Sequence, residues 1–122
     1  MKKKEHYIDN KQFQILLEKW LNNKDREAYQ ELGKIFLKIV NRLLMRPNFV
    51  NYTDDYKSEM ISDATYYMVR YINRYDLNMK SPFAYFSEIA FKAFVHYVVA
   101  MQKKSQKFVS IEFIDNMSRE GY

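Results

Sequence analysis

Residues 81–104 read SPFAYFSEIAFKAFVHYVVAMQKK and carry the clearest helical pattern of the chain. Serine favours the N-cap of a helix and proline favours the first helical position, so Ser81 and Pro82 predict a helix start. Apolar residues then recur at intervals of three and four, which predicts an amphipathic helix reaching about Lys104. Its buried stripe is expected to contain Phe83, Phe86, Ala90, Phe94, Tyr97, Val98 and Met101.

The same apolar spacing predicts two helices near the start of the chain. The first follows a capping residue at Asp9 or Asn10 and ends at the polar run 22–25. The second covers about residues 26–45 and stops before Pro47, because proline lacks the N–H group and disfavours helix at the residue before it. The two buried stripes are expected to contain Phe13, Leu16, Leu17, Trp20 and Leu21, and Ala28, Leu32, Ile35, Phe36, Ile39 and Leu43.

A third helix is predicted after the loop 48–53. Thr53 or Asp54 can accept hydrogen bonds from the free N–H groups of its first turn. The helix is expected to end at the polar break 76–78. Its predicted buried stripe is Tyr56, Met60, Ala64, Tyr67, Met68, Tyr71 and Tyr75.

Composition supports an all-α single domain of four helices. The 122 residues include only two glycines and two prolines, too few for the many turns of an all-β fold. Hydrophobic residues make up 48%, so the chain can build a core. We expect a helical domain over residues 1–107 and a short C-terminal tail over residues 108–122.

The chain carries few of the residues that enzymes use. It has no cysteine, its two glycines cannot form a phosphate-binding loop, and its histidines, His6 and His96, lie far apart. We therefore expect no catalytic residues, no metal site and no cofactor. The carboxylates near residues 54–63 leave a metal-dependent hydrolase as a remote alternative. No apolar run is long enough to predict a membrane span.

A face of the fourth helix opposite the predicted core stripe points to nucleic acid. The net charge is +5, and the chain holds eleven Tyr and nine Phe, more rings than a small core needs. An exposed ring can stack on a base while nearby amines meet phosphates. The alternatives are a protein interface for the rings and an ordinary solvated face with a basic end. This face contains Tyr85, Glu88, Lys92, His96 and Lys103.

The stretch from Tyr52 to Lys104 resembles region 2 of bacterial-type sigma factors, and especially the late-transcription sigma factors of T-even bacteriophages. The resemblance rests on several short elements in the right order and spacing rather than on one motif. These are Tyr52-Thr53 with Tyr56-Lys57, Glu59-Met60-Ile61 with Asp63, Tyr75-Asp76, the turn from Pro82 to Tyr85, and Ala93-Phe94-Val95.

The resemblance implies a role for the third helix. In that family, the corresponding helix docks on a coiled coil in the largest subunit of RNA polymerase. The polymerase-facing positions are then Glu59, Ser62, Asp63 and Thr65. The acidic side of this helix is expected to point away from the DNA surface.

The resemblance also implies how DNA is bound. In the family, the next helix helps to open a −10-like promoter element and holds a flipped adenine against a ring. Phe86 falls at the position of that ring with Tyr85 beside it, while Ile89 and Ala90 replace a tryptophan pair of the housekeeping members. The implied DNA-binding residues are Lys80, Tyr85, Phe86, Ile89, Lys92, His96 and Lys103.

The tail has a motif similar in type to one that binds the sliding clamp. The late-type factors end in an acidic, hydrophobic motif of this kind, and here the segment 110–114 reads SIEFI. Its clamp-binding residues would be Ile111, Phe113 and Ile114. The alternatives are a tail segment packed on the helices and a remnant of the linker that follows region 2.

These observations predict a phage late-gene sigma factor acting in the cytoplasm of a host bacterium. It would bind RNA polymerase core and direct it to a short AT-rich, −10-like element, aiding strand opening with a sliding clamp and a coactivator as further partners. The alternative is a helical polymerase-binding adaptor, or anti-sigma-like protein, that does not read DNA.

Overall fold

The computed structural model describes residues 8–79 and 81–106 and contains four α-helices. No strand occurs within these ranges, so the predicted all-α, four-helix single domain is confirmed. The helices are α1 (Asn10–Asn23), α2 (Arg26–Leu43), α3 (Asp54–Arg70) and α4 (Pro82–Gln106), with a 3-10 turn (Tyr71–Arg74) after α3. None of the described helices combines the length and apolar character that crossing a membrane requires.

Short polar side chains cap the N-termini of the helices, as the sequence predicts. The Asp9 carboxylate accepts from the first backbone N–H groups of α1, and the Thr53 hydroxyl accepts from the Tyr56 N–H of α3. The Ser81 hydroxyl accepts from the Ala84 N–H at the start of α4. Asn10 caps α4 rather than α1, since its side-chain oxygen accepts from the Phe83 N–H at 3.0 Å. This bond ties the start of α1 to the start of α4.

Helix α2 is shorter than predicted. It ends at Leu43 rather than Met45, because the Met45 N–H donates to the carbonyl of Arg42 in a tighter turn that leads into Pro47. The loop that follows contains a core residue that was not predicted from the sequence. The Phe49 ring is buried and lies edge-on against Phe94, with ring centroids 5.0 Å apart.

The end of α3 also differs from the prediction. The helix stops at Arg70, and Tyr75 has extended backbone beyond the 3-10 turn. This conformation lets the Tyr75 ring enter the core while its hydroxyl donates to the side-chain oxygen of Gln14 at 2.9 Å. The Gln14 amide in turn donates to the Leu77 carbonyl at 2.9 Å. These two hydrogen bonds therefore hold the polar segment after α3 against α1.

The centre of the core is a cluster of aromatic rings from three helices. Phe13 of α1, Phe36 of α2 and Phe86 of α4 meet with centroid separations of 4.9 to 6.2 Å. Burying such rings is the main favourable contribution to a domain of this size. Helix α3 adds Met60, Ala64 and Met68, all fully buried as predicted. The predicted stripe of α4 is buried at Phe86, Ala90 and Phe94 and only partly buried towards its C-terminal end.

Candidate nucleic-acid interface

An open groove of about 780 Å³ lies between α3 with its 3-10 turn and α4. Helix α4 supplies one wall, and α3 with the turn supplies the other. Tyrosine rings and cationic side chains dominate the two walls. The lining side chains are Tyr85, Ile89, Lys92, His96 and Tyr97 from α4, and Asp63, Tyr67, Tyr71 and Arg74 from the opposite wall, with Ala93 and Ala100.

Four residues predicted to bind DNA share this groove. Tyr85, Ile89, Lys92 and His96 occur at steps of three and four along α4, so they lie on one side of the helix. Lys92 also forms an ion pair with Glu88 at 3.2 Å. Both side chains of that pair are largely exposed, so the pair adds little stability and Lys92 can exchange its partner for a phosphate.

The prediction that the Phe86 ring binds DNA is corrected by its burial. Phe86 has no exposed surface and packs against Phe13, Phe36, Tyr75 and Tyr85. A ring enclosed by four others offers no face to a base. The reason is helical geometry, since Phe86 follows Tyr85 by one position, which turns it about 100° towards the core.

Two further DNA-binding predictions fall elsewhere. Lys103 is exposed on the last turns of α4 and does not line the groove. Lys80 lies outside the described residues, as does the tail 108–122 with Ile111, Phe113 and Ile114.

Tyr85 is the best-supported ring of the α4 wall. It packs edge-on against Phe86 at 4.8 Å and against Tyr75 at 5.1 Å, so two buried rings fix its orientation. Its hydroxyl donates to the Tyr71 carbonyl at 3.4 Å. Burial raises the pKa of the Tyr85 phenol, while the nearby Arg74 acts in the opposite direction. The phenol therefore stays protonated at neutral pH and presents an uncharged ring to the groove.

Asp63 lies in the groove, which corrects the prediction that the acidic side of α3 points away from the DNA surface. Asp63 and Tyr67 are four residues apart, so they share the side of α3 that faces α4, and Tyr71 follows at the same spacing in the 3-10 turn. The sequence alone does not indicate which side of α3 approaches α4, because that depends on how the two helices pack.

The four predicted polymerase-binding residues do not form one patch. Asp63 lies in the groove, and Glu59 accepts a short hydrogen bond from the Tyr97 hydroxyl. Burial and this hydrogen bond raise the pKa of Tyr97 well above its ordinary value. Ser62 and Thr65 instead line a shallow depression on the outer side of α3 with Tyr66, Val69 and Arg70.

The outer depression offers mainly apolar surface and one cation. The Thr65 hydroxyl donates to the Ile61 carbonyl of its own helix at 2.8 Å, so this group is already occupied. Arg70 donates to the Tyr66 hydroxyl at 3.1 Å and holds the exposed Tyr66 ring beside the depression. Apolar surface with Tyr and Arg is typical of protein–protein contacts.

Four aromatic or charged groove residues were not predicted as site residues. Three of them, Tyr67, Tyr71 and Tyr97, were assigned to buried stripes, but Tyr67 is 41% exposed and the other two are only partly buried. Tyr56 of the predicted α3 stripe is also exposed. The fourth, Arg74, lies in the 3-10 turn, where no pattern marked it. Three aromatic residues in a row along one stripe, beside Met60, Ala64 and Met68, exceed the width that one helix can bury, and this excess was the available signal.

A scan of the chain against protein-family models gives no match, and neither does a search of curated proteins. In the part of the chain that the structure describes, no three His, Asp or Glu side chains come together in a way that could hold a metal ion. A functional assignment therefore rests on the geometry of the groove together with the sequence resemblance.

Proposed function

We propose that the chain is a single-domain, phage late-gene sigma factor that acts in the cytoplasm of a bacterial host. It binds RNA polymerase core, directs it to a short AT-rich, −10-like element and captures one DNA strand as the duplex opens. The polymerase supplies the chemistry. The observation that carries this proposal is the α3–α4 groove, where Tyr85, Ile89, Lys92 and His96 line one wall.

The chemistry of this wall suits an unpaired strand better than a closed duplex. Tyr85 gives a flat, uncharged ring for a base, and Lys92 gives a cation for a phosphate. In a duplex the faces of each base are covered by the neighbouring base pairs stacked on it, so stacking on Tyr85 requires a strand that is already separated. A factor with this wall would favour the open state of a promoter, since binding only one of two states shifts the equilibrium towards it.

Docking on the polymerase is assigned to α3. Asp63 at the edge of the groove and the outer depression with Ser62, Tyr66 and Val69 form adjoining surfaces on this helix. An acidic group beside an apolar patch with an aromatic ring fits a protein partner with a basic, partly apolar surface. This arrangement supports a polymerase contact that leaves most of the groove open to DNA.

Reconstituted transcription tests the proposed function directly. The full chain is added to bacterial RNA polymerase core on an AT-rich promoter template and on a scrambled template of equal composition. Initiation that depends on the chain and prefers the promoter is expected. Initiation that is absent, or equal on both templates, would reject the proposal.

A second candidate function is a polymerase-binding adaptor or anti-sigma-like protein that does not read DNA. Asp63 favours it, because a carboxylate in the groove repels phosphates at that end. The apolar outer depression favours it too, since a protein partner would suffice to cover it. In this case the chain would bind polymerase core but would not bind a single-stranded oligonucleotide.

Polymerase docking is expected to weaken by at least about fivefold when Asp63 is changed to lysine, since the new cation repels a basic partner surface. Binding of DNA alone should stay equal or become stronger, because the same change removes a negative charge from the groove. The two opposite outcomes separate a docking residue from a residue whose replacement merely damages the fold. Retention of polymerase core on the immobilised chain measures the first outcome, and oligonucleotide anisotropy measures the second.

The matched control for this test is Glu31→Lys on α2, which makes the same charge change at an exposed site. It should leave polymerase retention unchanged within about twofold, because isolated surface charges contribute little to a distant contact. Equal retention by wild type and Asp63→Lys would remove Asp63 from the docking surface.

Lys92 is expected to contact a phosphate in the complex with DNA. Lys92→Ala should weaken binding to all sequences alike and flatten the dependence of log affinity on log salt concentration by about one unit. Lys34→Ala is a closely matched control, since Lys34 also forms an exposed ion pair at 3.2 Å, with Glu31 on α2. A salt slope that stays the same for Lys92→Ala would show that the amine meets no phosphate.

A further inference from the structure

Tyr67 and Tyr71 form a pair of rings on the α3 wall, directly across the groove from the α4 residues. The two rings are nearly parallel, with an interplanar angle of 21° and centroids 6.5 Å apart. They are spaced by four residues, which places them one helical turn apart on the same side. Neither ring is needed to close the core, since Met60, Ala64 and Met68 fill the buried side of α3.

A cation lies over one ring of this pair. The Arg74 guanidinium stands over the Tyr71 ring, 5.6 Å from its centre, and lines the same groove. A nucleotide combines a flat base with an anionic phosphate, so a ring and a guanidinium at this separation can meet both parts of one nucleotide. The wall formed by α3 and its 3-10 turn thus repeats the combination of ring and cation that Tyr85 and Lys92 present on α4.

We infer that Tyr67 and Tyr71 stack on unpaired bases and that Arg74 binds a neighbouring phosphate, so that single-stranded DNA is held between α3 and α4. This inference rests on the proposed function for the identity of the strand, which is the melted promoter strand. It goes further in assigning a base-binding role to α3, the helix otherwise assigned to polymerase docking.

Charge along the groove supports a nucleic-acid strand and sets its position. Arg74 and Tyr85 both contact Tyr71 at one end of the groove. At the other end, Tyr97 donates to Glu59, which lies one helical turn before Asp63 on α3. Phosphates are attracted to the Arg74 end and repelled at the Asp63 end. The bases of a bound strand are therefore expected over Tyr71 and Tyr67, with its phosphates on the rim near Arg74 and Lys92.

Tyr29 of α2 provides a matched control for the two ring positions. It is 39% exposed, close to the 41% of Tyr67, and it packs against Trp20 rather than lining the groove. A substitution at Tyr29 removes the same side chain from an exposed helical site without touching the proposed base-binding wall. Tyr67→Phe is the complementary control, because it keeps the ring and removes only the hydroxyl.

The test measures binding of a short, AT-rich single-stranded DNA carrying one 2-aminopurine, using the full chain without polymerase. Stacking on a ring quenches the fluorescence of 2-aminopurine. Tyr67→Leu and Tyr71→Leu are each expected to raise Kd at least about fivefold and to reduce the quenching. Tyr29→Leu and Tyr67→Phe should stay within about twofold of wild type. Melting curves of every variant verify that it is folded under the binding conditions.

Two results would overturn the inference. The first is wild-type affinity and quenching for folded Tyr67→Leu and Tyr71→Leu, with weaker binding only for Tyr85→Leu. The strand would then lie on α4 alone, and the proposed sigma function would still stand. The second is no binding of the oligonucleotide by the wild-type chain, which would leave a protein partner as the occupant of the groove. The transcription assay decides the proposed function separately in both cases.

Discussion

Replacing Phe86 with alanine is expected to destabilise the domain by about 3–5 kcal/mol, the usual cost of removing a buried ring. The ring has no exposed surface and contacts four other rings, from α1, α2, α4 and the segment after α3. A large cavity at the meeting point of these elements cannot close by a local shift, because three helices would have to move together. Small domains have a free energy of unfolding of only about 5–15 kcal/mol, so this substitution would remove a large part of it.

Chemical denaturation followed by circular dichroism measures this effect. Tyr66→Ala is the control, since it removes an exposed ring and should change the free energy of unfolding by about 0.5 kcal/mol or less. Phe86→Leu keeps much of the apolar volume and should cost about 1–2 kcal/mol, which leaves the folded state populated. Folded Phe86→Leu should weaken oligonucleotide binding less than Tyr85→Leu does, because Phe86 acts on DNA only by supporting Tyr85, which keeps its contact with Tyr75. A larger loss of binding than that of Tyr85→Leu would mean that the Phe86 ring itself meets DNA.

The local features of the fold were predictable because they depend on few neighbours. Ser81 and Pro82 mark the start of α4, and Thr53 marks the start of α3, because capping needs only a side chain and the next turn of backbone. The fully buried positions of α4, such as Ala90 and Phe94, followed from the helical period. These features gave the number and approximate limits of the helices without knowledge of their packing.

The features that failed depend on contacts between elements. Tyr75 was predicted to lie in α3, but it lies beyond the helix in extended backbone. Its hydroxyl there donates a hydrogen bond to the side-chain oxygen of Gln14 in α1. Tyr67 was assigned to the core, although the side of α3 on which it lies meets an open groove. Helical periodicity identifies an apolar or aromatic stripe along a helix. It does not show how many residues of that stripe are buried, because the packing of the neighbouring helix decides this.

The same distinction explains what could be predicted of the candidate site. Tyr85, Ile89, Lys92 and His96 were identified because they lie on one helix, where spacing alone places them on one side. The opposite wall was missed because it requires the packing of α3 against α4. Asp63 shows the consequence most clearly, since it was expected to lie away from the DNA surface and in fact shares the groove with Lys92.

Tyr85→Leu is expected to slow promoter opening by about tenfold or more, if the proposed function is correct. Loss of one ring that stacks on a base costs about 1–3 kcal/mol, and each 1.36 kcal/mol corresponds to about a tenfold change in rate. Tyr85 is suited to this role because two buried rings, Tyr75 and Phe86, already hold it in place. Little conformational freedom is lost when a base stacks on a ring that is fixed beforehand.

A comparison of two templates isolates the step in which the ring acts. On a closed duplex, Tyr85→Leu should open the promoter slowly, whereas a template with a pre-melted bubble at the −10-like element should largely restore the rate, because the strands are already apart. Tyr85→Phe keeps the ring and should remain close to wild type on both templates, since the hydroxyl makes only a 3.4 Å contact with the Tyr71 carbonyl. If folded Tyr85→Leu is as active as wild type on the closed duplex, the ring takes no part in capturing the strand. A defect of equal size on both templates would instead place its role after melting, since pre-opened strands would then bring no relief.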